Sequence, residues 1–333
     1  ATATTAGYNI CIGNGAGNGG TTTGDYNIVM GNSAAGALTS GNNNVIIGQS
    51  AGDAIADGTY NMCIGSDAGD AITSGVYNVC LGPNAGGTGT TMGYCIFIGN
   101  GAGNGGTTTG NHNIVMGHAA GDALTSASNS IIIGQSAGTS MNTGANNVAV
   151  GAETLYYCTS GAGNTAIGHG ALKALETASN NTAVGDYAAD AVTTGTTVVA
   201  VGNGALGAMT TGSDNVAVGV GAGGAITTHQ YNTFVGHQAG RLCTDGANVS
   251  MGAYSFYDAT TAANNTCLGG WAGENITTGD NNTVVGKSAA SSLETGNNNT
   301  CIGYQAGDAL TTGGNNIVIG NGADASAVDV SNT

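Results

Sequence analysis

A glycine that follows a short apolar triplet recurs at positions 13, 31, 48, 65, 82, 99, 117, 134, 151, 168, 185, 202, 219, 236, 252, 269, 286, 303 and 320. The step is 17 residues, lengthened to 18 at the first and sixth intervals and shortened to 16 between Gly236 and Gly252. A unit this short cannot enclose a core of its own, so it must bury its apolar face against copies stacked above and below. The period therefore predicts an all-β chain, a repetitive parallel β-roll or β-solenoid of about nineteen coils. No composition break interrupts it, so residues 1–333 read as one repetitive fibre domain, with repeats from about 8 to 325 and short irregular ends. Strands stacked about 4.8 Å apart would make a rod of roughly 90 Å.

Relative to this glycine, the preceding residue is Ile, Val, Leu or Met in all nineteen units. Asn lies four before it in sixteen, with Cys95, Ser130 and Val198 the exceptions. Ala lies three after it except at Thr154 and Ser255. The triplet is a β-branched run bounded by turn formers, hence a strand, and the glycine allows a bend that a Cβ would hinder. The following Ala-Gly-x-Ala-Leu pattern spaces apolar residues three and four apart and predicts one tight helical turn. Thr-Thr-Gly-x-Asn-Asn then supplies turn chemistry. Aligned Asn side chains either form a ladder between coils or simply suit a turn.

Composition narrows the function classes. Gly contributes 63 residues without a G-X-Y period, and only 7% of residues are charged, which excludes collagen and ordinary globular domains. Nineteen acids against Lys173, Lys287 and Arg241 leave a net charge of −16. Three cations cannot supply a nucleic-acid footprint, and the acid serves to keep the rod soluble. No apolar run reaches the roughly 20 residues of a spanning helix, so no membrane insertion is expected. The first residues resemble neither a signal peptide nor an initiating Met, so the chain is expected to be processed or part of a longer one.

The triplets are often wholly apolar, as in Val45-Ile46-Ile47, Ile96-Phe97-Ile98 and Ile131-Ile132-Ile133. Their middle residue points away from the face of the other two, and a strand apolar on both faces is buried on both. One coil cannot cover both, so the second face is expected to meet another copy of the chain in a cyclic homo-oligomer.

The units at 180–188 (Asn-Asn-Thr-Ala-Val-Gly-x-x-Ala) and 298–307 (Asn-Asn-Thr-Cys-Ile-Gly-Tyr-Gln-Ala-Gly) resemble the repeats of bacteriophage tail fibres and tail-fibre-domain proteins. They are more distantly similar to the head repeats of trimeric autotransporter adhesins, whose repeat is shorter. This resemblance implies a homotrimer, intertwined or side by side, at a virion surface or otherwise extracellular. It also implies that the end, Gly322-Ala-Asp-Ala-Ser-Ala-Val-Asp-Val-Ser-Asn-Thr333, resembles the stretch before a C-terminal chaperone module that is cut away.

Candidate chemistry is sparse. Five of the eight cysteines (Cys11, Cys63, Cys80, Cys267, Cys301) occupy the middle strand position and read as small hydrophobes. Cys63 and Cys80, in adjacent coils, could approach bridging distance. Cys158 and Cys243 sit at another core position, and no C-x-x-C pair suggests zinc. His118, His169 and His237 directly follow the repeat glycine and read as surface residues. Asp53, Asp70, Asp122, Asp190 and Asp308 share a position but lack the calcium-solenoid nonapeptide. The G-x-G runs near Gly13 and Gly99 have no room for the helix a dinucleotide site needs. Two units break the pattern with large aromatics, at Tyr156 and Tyr157 and at Tyr254, Phe256 and Tyr257, and Trp271 lies one coil on. These either form surface contacts for a partner or fill a local widening of the core.

The expected function is a structural fibre shaft of a virion, a tail or capsid fibre that holds or forms a host-attachment element. The alternative is a microbial surface adhesin or self-polymerising extracellular filament. No enzyme activity, catalytic residue, cofactor or metal is expected. The expected partners are the chain itself, other virion proteins, and a host-surface glycan or receptor.

Overall fold

The computed structural model describes residues 7–19 and 23–324. Most of the two chain-end stretches discussed above lies outside the described residues. The chain forms nineteen three-residue parallel strands, one per repeat, in a β-solenoid with a period of about 17 residues. Two compact units divide it, residues 1–169 and 170–333. The first carries β1 (Ile10–Ile12) to β10 (Thr165–Ile167), and the second β11 (Thr182–Val184) to β19 (Ile317–Ile319). Within each unit successive strands pair in register one repeat apart, so Val45, Ile46 and Ile47 lie beside Met62, Cys63 and Ile64.

The predicted helical turn does not form, and no described residue is helical. The residues two and four after the repeat glycine are left-handed instead, as at Ser33 (φ 55°) and Ala35 (φ 48°) or Glu153 (φ 57°) and Leu155 (φ 48°). A helix would use its backbone groups within itself. Here the alternation sends them to neighbouring coils. Ser33 N donates back to Asn14 O at 2.9 Å, while Ala35 N and Ala37 N donate forward to Ala51 O and Asp53 O at 2.9 and 2.8 Å.

The repeat glycine is required twice over. Its φ lies between +122° and +145° throughout, outside the ordinary range of L-residues. A Cβ at Gly134 would also sit 2.3 Å from the carbonyl oxygen of Gly151 in the next coil. The glycines therefore stack backbone on backbone.

The middle strand residue points into the coil and is buried in every strand but β1, where Cys11 is exposed. It shares the interior with the residue four after the repeat glycine, and in many coils the two are complementary in volume. Where the middle residue is Ile46, Cys63 or Phe97, the later one is Gly52, Gly69 or Gly103, and a Cβ at Gly103 would meet Phe97 at 2.3 Å. Where it is Ala149, Ala200 or Ser250, the later one is Leu155, Leu206 or Phe256, all fully buried. Close packing leaves no room for two large groups, and where both are small, as at Ala217 and Gly223, the side chains of Leu206 and Phe234 reach in from the adjacent coils. The polar exceptions also compensate locally. The hydroxyl of Ser250 donates to Ser255 O at 2.9 Å, and those of Ser255 and Thr154 donate to the carbonyls of Gly252 and Gly151, each at 2.9 Å.

The asparagines form a buried ladder. Asn61 Oδ1 accepts from the backbone N of Asn78 at 3.1 Å and from its Nδ2 at 3.0 Å. Its own Nδ2 donates to Gly75 O at 2.7 Å. The pattern repeats in the second unit, for example from Asn265 through Asn282 and Asn299 to Asn316. Among the described residues no buried side-chain nitrogen or oxygen lacks a partner, which is what keeps so much buried amide from being destabilising.

Candidate functional surfaces

With the middle residue turned inward, the first and third residues of every strand face outward. In the first unit these outer positions are Ile, Val, Met or Leu from β1 through Val148 and Val150. They are half-buried to exposed, for instance Ile28 at 37%, Met62 at 39% and Ile131 at 37%. In the second unit the third position stays aliphatic, while Thr182, Thr233, Thr266, Thr283 and Thr300 enter the first. Isolated exposed apolar residues are normal, but rows of them repeated coil after coil are not.

A second surface follows the bend. Tyr254 and Trp271 stack at 6.0 Å with 11° between planes, and Lys287 Nζ lies 5.4 Å from the Trp271 centroid. His237 meets Tyr254 edge-on at 5.1 Å, and Tyr257 is tilted against Tyr254 at 5.7 Å. Arg241 lies 5.8 Å over the Tyr257 ring and donates from Nη1 to Tyr257 Oη at 2.8 Å. Tyr254, Trp271 and Lys287 come from successive coils, so the indole is contacted from the coil before and the coil after. Nearby, burial and then Asp258 raise the Glu274 carboxyl above its ordinary range. Of the six aromatics expected as surface contacts, Tyr157 and Trp271 are exposed, while Tyr156, Tyr254 and Tyr257 are partly covered. Tyr156 packs edge-on against Tyr157 at 4.7 Å. Phe256 requires correction, because it is fully buried and fills the space left by Ser250.

A longer aromatic row joins residues that the sequence analysis did not single out. Tyr60, Tyr77, Tyr94 and His112 each lie five residues before a repeat glycine and stack at 4.8, 5.1 and 5.2 Å. Their shared position was the available signal. Tyr8 and Tyr26 occupy the same position and stack at 5.3 Å.

The cysteines are core residues apart from Cys11, and all are free. Burial pushes the thiols of Cys158 and Cys301 up to about 11 and that of Cys243 up to about 12. Cys63 and Cys80 are register partners, and the hydrogen bond between them, followed by burial, holds the Cys80 thiol well above its usual value. His118, His169 and His237 are exposed. Asp53 Oδ1 accepts from Gly36 N at 3.2 Å, and burial is the largest cause raising Asp70 and Asp190. Among the described residues no group of three His, Cys, Asp or Glu could hold a metal, and no helix is long and apolar enough to cross a membrane.

Two hollows lie in the second unit. One, of about 300 Å³, is floored by Gly204, Gly221 and Gly224 beside Arg241. The other, of about 440 Å³, is lined by His229, Gln230, Tyr231, Asp245, Ala247 and Asn264 among others. It marks the 16-residue repeat. Six residues run from Thr227 to Asn232 and from Thr260 to Asn265, but only five from Thr244 to Asn248, so the middle loop is recessed between two full ones. No protein-family model matches the sequence, and neither a curated protein nor a solved structure matches it.

Proposed function

We propose that the chain is the shaft of a self-associating fibre, a homotrimer whose outward aliphatic strand faces pack against one another. Its place is a virion surface or another extracellular setting, where it holds or forms a host-attachment element and catalyses no reaction. The observation that carries this reading is the outward aliphatic face of the strands, unbroken by polar residues from β1 to Val150. Nine adjacent strands at about 4.8 Å make that strip roughly 40 Å long in the first unit alone. Covering it removes apolar surface from water at about 25 cal/mol per Å². Cyclic closure covers each copy's strip with that of its neighbours. The number three and the virion setting come from the resemblance of the repeats to tail-fibre repeats.

Native mass by light scattering tests the proposal. A mass three times that of the chain is expected, falling to that of the chain when Ile98 and Ile133 are changed to Lys. A monodisperse wild-type monomer would overturn it. Rods that join end to end without lateral association would favour the extracellular filament instead.

A further inference from the structure

We infer that the recess at the shortened repeat is a binding site for a neutral saccharide unit. Several exposed aromatic rings elsewhere are stacked along the coils, so that Tyr77 lies between Tyr60 and Tyr94 and Trp271 between Tyr254 and Lys287. Those rings are already engaged, and Tyr304, exposed and unstacked among the described residues, lines neither hollow. Tyr231 differs because the equivalent positions in the preceding and following coils are Asp214 and Ala247, and no ring stacks on it among the described residues. It is 65% exposed and borders the hollow.

The loop that loses one residue is what opens space beside that ring. Asp245 lines the recess, where Oδ1 accepts from Gly246 N at 2.7 Å and lies 3.6 Å from His229 Nε2. Its Oδ2 has no partner among the described residues. Gln230 and Asn264 place exposed amides on the two walls. An open aromatic face ringed by a carboxylate, an imidazole and amides matches the two sides of a pyranose. The C–H face packs on the ring, and the equatorial hydroxyls meet the planar polar groups. A volume of about 440 Å³ suits one or two sugar residues. Asp245 and the net charge of −16 select against acidic sugars. The site lies within the loops of one chain and holds whether or not the chain self-associates.

Saturation-transfer NMR on the full chain, with glucose, galactose, N-acetylglucosamine and rhamnose as neutral probes and glucuronic acid as the acidic one, tests the inference. At least one neutral probe is expected to bind. Tyr231→Ala, Asp245→Asn, and insertion of one Asn between Gly246 and Ala247, which restores the 17-residue step, should each weaken it at least tenfold. Tyr94→Ala should leave it unchanged and so controls for general aromatic contact. Circular dichroism matching wild type shows that each variant is folded. Three results would overturn the site: no neutral probe binding, binding unaltered by Tyr231→Ala and the insertion, or binding confined to glucuronic acid. So would a Tyr231→Ala variant that binds normally but has a reduced native mass, since another copy would then fill the recess.

Discussion

Replacing Asn61 by Ala isolates what the amide ladder contributes. The wild-type side chain donates to Gly75 O and accepts from the backbone N of Asn78, both in the next coil. Asn78 Nδ2 also loses an acceptor but keeps Met92 O at 2.9 Å. Truncation therefore strands two buried backbone groups, each at a cost of about 1–3 kcal/mol, for a total of about 2–6 kcal/mol. Asn61→Ser should recover part of this. Ser130 already stands at a ladder position, and its hydroxyl accepts from Asn147 N at 3.2 Å. Stability in a stacked array is shared between coils and their interfaces, so a urea midpoint should be read together with amide hydrogen exchange. The Asn78 amide should exchange much faster in the Ala variant and at an intermediate rate in the Ser variant. A loss below about 1 kcal/mol with Asn78 still protected would refute the argument that the ladder is needed to satisfy the backbone.

Further outcomes follow from the same geometry. Gly134→Ala combines a forbidden φ with a Cβ against the Gly151 carbonyl and should cost about 3 kcal/mol or more. Gly101→Ala, at φ 65° with open space around it, should cost only about 1 kcal/mol in the same urea titration. Phe97→Ala should lose about 3–5 kcal/mol. Adding Gly103→Leu should restore a large part of it by recreating the pairing seen at Ala149 and Leu155, and failure to do so would sink the volume rule. The raised thiols of Cys158, Cys243 and Cys301 stay protonated in the folded state while the unfolded chain ionises near pH 8.5. The folded state then binds more protons, so stability should fall from about pH 8.5 towards 11–12, by up to about 1.4 kcal/mol per pH unit for each thiol. Thermal melts across that range check this, and Cys243→Ala should flatten the profile.

Sequence alone determined the period, the strand positions, the parallel order and which residues share a row. Each of these depends on spacing along the chain, and a 17-residue step aligns equivalent residues whatever the coil's detailed path. The alignment of the asparagines in one row followed for the same reason, while their burial and ladder bonding came from the structure. Direction relative to the coil was decided only by tertiary structure. The spacing of Ala-Gly-x-Ala-Leu suits a helical turn, yet left-handed residues such as Ser33 and Ala35 form there, because the backbone must bond to two neighbouring coils. Phe256 looked like a surface aromatic beside Tyr254 and Tyr257. It is buried because a residue six positions earlier, Ser250, is small, and that exchange of volume crosses the coil interior. The availability of ring faces was equally a tertiary matter. Trp271 is covered by its neighbours along the stack, while Tyr231 has Asp214 and Ala247 at the equivalent positions beside it, since stacking passes through whatever the adjacent coils place at the same height.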